Sequence, residues 1–429
     1  MLLSDLSIYG GDYMDKIKVI GEQTLSGKIY ISGSKNSAVA LIPAAILSDK
    51  AVIDKVPSIS DVKSLKEIME YLGVKMNFEG SKLFIDSTEM KNKDITNEYS
   101  TKLRASYYFM GALLAKFKRV VISLPGGCSI GKRSFDFHLS GFEKLGAKVT
   151  RDGDLYTIEA EKLIGTNISL PFPSVGATVN IMLAAVFAEG VTTIENAASE
   201  PEIGNLIEFL NSAGAKISGK DTTKLTITGV SKLSGGSIKV IPDRIEAGTY
   251  ILAGVMNGKN LEICDVRPDH LTSFFDKLRE MGADFEIKED SVITNKVSHL
   301  KPVNIETAVY PGFATDLQQP ITTLLLMADG VSTLRETIYE NRFQNTKYLN
   351  EMGAHIEING DTITVYGPTK LGGKVVKTSD LRAGAALILA ALSAHGETTI
   401  TDIKHLLRGY SNLIQKLTNV GAKIWLEEE

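Results

Sequence analysis

The sequence predicts an α/β protein of two domains, built from six copies of a helix–strand–helix–strand–strand unit, three per domain. Three observations carry this reading. The chain has 429 residues, more than one hydrophobic core usually serves. One short pattern then recurs six times: a helix end, a Gly, a small residue, and a charged residue or His leading into a strand. Its copies are Leu72-Gly73-Val74-Lys75, Leu145-Gly146-Ala147-Lys148, Ala213-Gly214-Ala215-Lys216, Met281-Gly282-Ala283-Asp284, Met352-Gly353-Ala354-His355 and Val420-Gly421-Ala422-Lys423. Their glycines lie 73, 68, 68, 71 and 68 residues apart, a regularity that marks a structural repeat. The third observation is the switch of hydrophobic period on either side of each glycine.

Before each glycine runs an amphipathic stretch, such as VKSLKEIMEYLG or HLTSFFDKLREMG. Its apolar residues recur at three and four positions, the helical period. The glycine itself answers a need for positive φ where a helix stops and turns. After it come alternating segments, such as Ala354-His355-Ile356-Glu357-Ile358 and Thr362-Ile363-Thr364-Val365, which read as strands. A second helix precedes each unit, rich in small residues: SAVALIPAAILS, ASYYFMGALLA, ATVNIMLAAVFA, AGTYILAGVM, ITTLLLMA and AGAALILAALSA. Apolar nearly all round, these helices belong inside each domain. A strand follows, as in VVISL, TTIEN, NLEIC, STLRE and TTITD. An open solenoid would need polar capping repeats, and the end units show none.

Composition narrows the function classes. Apolar content of 43% and charged content of 23% are ordinary for a globular protein. A net charge of -4 argues against a general nucleic-acid binder. Two cysteines, Cys128 and Cys264, make no disulfide framework and fit a reducing, cytoplasmic compartment. The six histidines show no HxxxH or HExxH spacing, so no metal site is expected. No apolar run is long enough to span a bilayer, so no membrane partner is expected either. Residues 1–13 read as an extension, because the organised pattern begins at Met14.

The densest chemistry lies in Leu124-Pro125-Gly126-Gly127-Cys128-Ser129-Ile130-Gly131-Lys132-Arg133. Gly126 through Lys132 matches the phosphate-loop pattern GxxxxGK, but Arg133 stands where that pattern needs Ser or Thr for magnesium. The other reading makes Cys128 chemical, since neighbouring cations and loose amides favour a thiolate. Cys264, in the apolar strand NLEICDV, reads as a structural thiol.

Further motifs fall in order along the chain: Ser32-Gly33-Ser34-Lys35-Asn36, Leu103-Arg104-Ala105-Ser106, Ser174 to Thr178, Glu195 to Ile203, Pro242 to Thr249, Pro311 to Asp316, Glu340 to Phe343, Ser379 to Ala383, and Arg408 to Tyr410. Together with the PGGCxIGxR loop, they resemble the UDP-N-acetylglucosamine enolpyruvyltransferases from Met14 to the end. The resemblance implies a two-domain inverted α/β barrel, with helices inside and sheets outside. It places one domain at 35–240, with the Cys128 loop, and the other at 14–34 plus 241–429.

It also implies a reaction: transfer of the enolpyruvyl group of phosphoenolpyruvate to the 3-hydroxyl of UDP-N-acetylglucosamine, with loss of phosphate, in peptidoglycan precursor synthesis. No cofactor is implied, and the two substrates are the expected partners. So much negative charge requires several fixed cations. Lys35, Arg104, Arg133, Arg342, Arg382 and Arg408 resemble the family's cationic set, with Lys35 and Arg408 also counted as catalytic. Asp316 would take the hydroxyl proton as base, and Cys128 would protonate the donor's methylene carbon. Asn36 would lie near the sugar or donor. Arg133, Ser134, Phe135, Asp136 and Phe137, with Ser174, Val175 and Gly176, would bind the uridine diphosphate, and Ile338 would contact the nucleotide sugar through its backbone. For Asp316, a second reading is a helix cap.

Some positions depart from the family pattern. Ser134 and Ala314 replace prolines, Asn345 stands where histidine is common, and Leu407 and Ser411 replace acidic residues around Arg408-Gly409-Tyr410. These departures define the alternatives, a low-activity or non-enzymatic paralogue. The related 3-phosphoshikimate enolpyruvyltransferase is a further one, but its own loops are missing and the cysteine loop, which it lacks, is present.

Overall fold

The computed structural model describes residues 16–100, 104–123 and 135–427. Cys128, Arg133, Ser134 and the extension 1–13 lie outside the described residues, as does the side chain of Arg104. The chain folds as two compact units, with breaks between Ser32 and Gly33 and between Ile241 and Pro242. Each unit is an inverted α/β barrel, with helices at its centre and sheets outside.

In the Gly33–Ile241 unit the inner helices are Lys35–Ala44, Phe109–Phe117 and Val175–Ala185. The third is buried from Ala177 to Ala185, as a sequence apolar nearly all round requires. Small residues let these helices touch. A methyl group built on Gly111 would lie 2.2 Å from the Asn180 carbonyl oxygen, so any larger residue there would push two inner helices apart. The outer helices Ser60–Tyr71, Asp136–Lys144 and Pro201–Ser212 are amphipathic. In the first, Val62, Leu65, Ile68 and Met69 are buried at the three-and-four spacing.

Five of the six described sheets have four strands on one plan, and the sixth, around Arg119–Ser123, has three strands with only an isolated parallel bridge at Ile95. Lys50–Asp54 pairs antiparallel with Lys82–Asp86, which pairs antiparallel with Lys75–Glu79, and a short parallel strand, Ser237–Lys239, adds to the open edge. That edge strand comes from the end of the third repeat, so it closes the unit on itself and leaves no solenoid end. The six repeat glycines, Gly73, Gly146, Gly214, Gly282, Gly353 and Gly421, all have positive φ, between 78° and 109°. This is the left-handed conformation that a helix-stopping glycine supplies.

The second unit repeats the plan with inner helices Arg244–Asn257, Gln318–Leu325 and Leu381–Ser393, and outer helices Thr272–Met281, Asn345–Glu351 and Leu413–Asn419. Its last repeat reaches the C-terminus one strand short. Lys16–Ile20 fills the gap, lying antiparallel between Glu397–Thr401 and Lys423–Glu427. The strand alternates half-buried and buried residues, with Ile17 and Val19 inside, so a period-2 pattern at the start of the chain completes a sheet at its end. Leu25–Tyr30 then adds in parallel to Gly258–Cys264. The return is pinned at Ser32, whose N–H donates to Glu246 Oε2 at 2.7 Å. Lys416 Nζ reaches both Glu246 Oε1, at 2.6 Å, and Ser32 Oγ, at 2.7 Å.

Candidate active site

In the second unit the inner helices bring their N-terminal ends together, the ends that carry partial positive charge and favour anions. Asp243 caps the first by accepting from the Ile245 and Glu246 N–H groups at 2.9 and 3.0 Å. Asp380 caps the third in the same way, accepting from Arg382 and Ala383 N–H at 2.8 and 3.0 Å. Asp316 sits just ahead of the middle helix, in the one-turn segment Thr315–Leu317.

Asp316 does not cap that helix, whose N-terminus has no side-chain cap. Its carboxylate instead lies between two guanidinium groups. Arg342 Nη2 donates to Oδ1 at 2.5 Å and Arg382 Nη2 to Oδ2 at 2.8 Å. Both arginines are buried, and the Asp316 side chain keeps 26% of its surface exposed. Burial pushes its pKa up, but the charges of Arg382 and Arg342 outweigh burial and hold the carboxyl well below the usual carboxylate range.

Each guanidinium is held in turn. Arg342 Nη1 donates to Thr315 Oγ1 at 2.7 Å, and the Arg342 guanidinium lies 5.0 Å from the centre of the Tyr339 ring, in cation–π range. Arg382 Nη1 donates to the Tyr410 hydroxyl at 3.4 Å. Thr249 spends its own hydrogen on the Ile245 carbonyl, so the contact between Tyr410 and Thr249 Oγ1, at 2.9 Å, has Tyr410 as donor. Arg408 ends the short helix Ile403–Arg408, two residues before Tyr410. Leu407 and Arg408 are half-buried and Ser411 is buried.

Ile338 follows the strand Val331–Arg335. Its N–H donates to Glu336 Oε1 at 2.8 Å, which fixes the backbone turn there. Arg342 has both Nη atoms engaged with Thr315 and Asp316, so in this arrangement it orients the carboxylate.

In the other unit, Lys35 begins the helix Lys35–Ala44, which Ser34 caps through the Ser37 N–H at 3.2 Å. Lys35 Nζ lies 3.2 Å from Asp61 Oδ2, and that carboxylate is buried. Asn36 is half-buried on the same first turn. Ser174 caps Val175–Ala185 through the Ala177 N–H at 3.3 Å. Phe135, Asp136 and Phe137 open the helix Asp136–Lys144. The two segments meet at an aromatic cluster, in which the Tyr107 ring lies 5.7 Å from Phe135 and 5.2 Å from His138. A methyl on Gly176 would come within 2.9 Å of His138 Cε1 and 3.1 Å of the Tyr107 oxygen, so a larger residue there would have to displace the His138 ring. Asn180 Oδ1 accepts from the Gly111 N–H. Its amide nitrogen therefore donates to His138 Nδ1, at 2.9 Å, which assigns the ring proton to Nε2.

Sequence reasoning gave no role to Thr315, Glu336, Tyr410, Tyr107 or His138. Thr315 and Tyr410 lie inside recognisable motifs, one position from Asp316 and two from Arg408. Glu336 gave no signal among 51 acidic residues.

Solved enolpyruvyl transferases share this architecture. NikO from Streptomyces tendae superposes with a TM-score of 0.89 at 25% identity, covering 97% of this chain and 100% of that one. An EPSP synthase from Acinetobacter baumannii shares the fold, with a TM-score of 0.74 at 17% identity and coverage of 96% and 100%. The family described as EPSP synthase (3-phosphoshikimate 1-carboxyvinyltransferase) matches residues 19–417. UDP-N-acetylglucosamine 1-carboxyvinyltransferase 2 of Geobacillus kaustophilus is 50% identical over 416 residues, 97% of each chain. Its namesake in Bacillus subtilis is 49% identical, over 96% of this chain and 97% of that one. The chain belongs to the EPSP synthase family and, within it, to the UDP-N-acetylglucosamine 1-carboxyvinyltransferases.

Proposed function

We propose that this chain transfers the enolpyruvyl group of phosphoenolpyruvate to the 3-hydroxyl of UDP-N-acetylglucosamine, releasing phosphate, as a step in making peptidoglycan precursors. The reading is supported by relatives of that name at about half identity over nearly the whole chain. The structural observation that carries it is the Asp316 carboxylate held between Arg342 and Arg382 where inner helices begin.

The chemistry is an addition followed by an elimination. The acceptor oxygen bonds to C2 of the donor while Asp316 takes its proton, and Cys128 gives a proton to C3. The tetrahedral ketal then returns one C3 proton to the Cys128 thiolate, the electron pair of that C–H bond forms the C2=C3 double bond, and the C2–O bond breaks as phosphate leaves with the proton held by Asp316. No oxidation state changes. With two cations on it, Asp316 is a weak base. The anionic groups of bound substrates offer those cations other partners, and drawing Arg382 away would restore basicity to the carboxylate. Lys35, held by Asp61, Arg408, Arg104 and Arg133 would bind donor and diphosphate charge. Asn36 would contact the sugar or donor. Phe135 to Phe137, Ser134 and Ser174 to Gly176 would bind the uridine end, and Ile338 would bind through its backbone. Fosfomycin, an epoxide analogue of the donor, would alkylate Cys128. We place the work of the protein in the cytoplasm, the reducing compartment that two cysteines without a disulfide framework fit.

Incubation with both substrates, followed by mass spectrometry and phosphorus NMR, tests the proposal. The expected products are inorganic phosphate and an enolpyruvyl ether of the nucleotide sugar. Recovery of both substrates unchanged would overturn it.

A further inference from the structure

Glu336 is a buried acid just past the strand Val331–Arg335, 3% exposed. A carboxylate in such a place is costly unless every lone pair it presents is used. Here both oxygens act as acceptors. Oε1 receives the Ile338 N–H at 2.8 Å, the Tyr339 N–H at 3.1 Å and the Thr307 hydroxyl at 3.1 Å. Oε2 receives the Thr315 hydroxyl at 2.8 Å. Thr307 adds to the same knot, because its hydroxyl accepts from the Thr337 N–H at 2.9 Å.

These contacts lead to the reactive carboxylate by two routes. Thr315 gives its hydrogen to Glu336, so its oxygen is turned to accept from Arg342 Nη1, at 2.7 Å. Through the other oxygen, Glu336 fixes the backbone of Tyr339, whose ring lies 5.0 Å from the same guanidinium. Arg342 is thus set from its edge and from its face, and its Nη2 sets Asp316 Oδ1. Ile338, beside Tyr339, is held by the same oxygen.

We propose that Glu336 is a positioning residue that ties the orientation of the Asp316–Arg342 pair to the backbone turn at Ile338 and Tyr339. The inference rests on the proposed reaction, in which Asp316 is the base and the Ile338 backbone meets the nucleotide sugar. The carboxylate is needed because donors approach both of its oxygens. A glutamine presents an acceptor to one side only. If its oxygen faces the two amides, its NH₂ competes with Arg342 for Thr315; if it is reversed, its NH₂ faces two N–H groups.

Three variants test this: Glu336→Gln, Thr315→Val and Thr315→Ser, each with its melting temperature. Thr315→Val breaks the link to Arg342 and leaves the 338–339 turn alone. It should lower kcat about ten-fold, the worth of one hydrogen bond to a charged group, with KM for UDP-N-acetylglucosamine unchanged. Thr315→Ser keeps the hydroxyl and should retain kcat. Glu336→Gln should lower kcat by a similar factor and also raise that KM. Hydrogen exchange at the Ile338 and Tyr339 amides should quicken in Glu336→Gln and not in Thr315→Val. Folded Glu336→Gln protein with wild-type kcat, KM and amide exchange would overturn the inference, as would Thr315→Ser falling as far as Thr315→Val. A wild-type protein that turns over no nucleotide sugar would overturn the proposed function instead, and the exchange rates would still decide the positioning.

Discussion

Replacing Asp316 by asparagine removes the charge that Arg342 and Arg382 share and leaves two buried guanidinium groups against a neutral amide. Removing one member of a buried ion pair costs about 3–5 kcal/mol. With 26% of the Asp316 side chain exposed, solvent screens part of that cost, and we expect roughly 2 kcal/mol. For a unit of this size that is a fall in Tm of about 4–8 °C. Turnover should fall further, by roughly 10²–10⁴-fold, because the proposed base is gone. The stability term has a definite pH dependence. The folded pKa of Asp316 is depressed, so its contribution is present above the unfolded-chain value of about 3.9 and is lost as pH falls through the folded value. The wild-type advantage over Asp316→Asn should therefore be constant from about pH 5 to 8 and shrink only below about pH 4. Thermal unfolding across that range and phosphate release on the same preparation check both parts. Full turnover in folded Asp316→Asn protein would remove Asp316 from the mechanism, and an unchanged Tm would refute the clamp.

Other perturbations test the frame and the thiols. Lys416→Met leaves the buried Glu246 carboxylate without its 2.6 Å partner; it should cost about 3–5 kcal/mol in chemical denaturation, and Glu246→Gln in the same chain should recover part of it. Equal stability of Lys416→Met and wild type would contradict that account. Val19→Asp puts a charge at a fully buried point between Thr398 and Ile424. It should cost about 4 kcal/mol or more, and a cooperative transition at the wild-type midpoint would show that the N-terminal strand does not complete the last sheet. Burial pushes the Cys264 thiol up in pKa, so fosfomycin should label Cys128 and spare Cys264 by mass spectrometry. A label on Cys264 alone would contradict the assignment.

Much of the fold could be read because each repeat ends a helix on a glycine. A helix that stops and turns back needs positive φ, and that need writes Gly73, Gly146 and their counterparts into the chain at even spacing. The inner helices were legible for a related reason: burial on all sides removes the polar face. The short parallel edge strands, such as Asn167–Ser169 and Asn304–Glu306, were not legible. Each buries one side chain, and one residue cannot show an alternation. At the candidate site, Asp316, Arg342 and Arg382 could be named because each sits in a recognisable motif. That one carboxylate bridges both guanidiniums could not, because 26 and 66 residues separate the partners in sequence. Glu336 was invisible for the same reason, since its meaning lies in the four donors that folding brings to it.

Phosphate release from phosphoenolpyruvate by the purified wild-type chain, with UDP-N-acetylglucosamine and 3-phosphoshikimate supplied separately as acceptors, decides which reaction the protein performs. Release should depend on UDP-N-acetylglucosamine and stay at background with 3-phosphoshikimate. Release with 3-phosphoshikimate, or with neither acceptor, would contradict the proposed function.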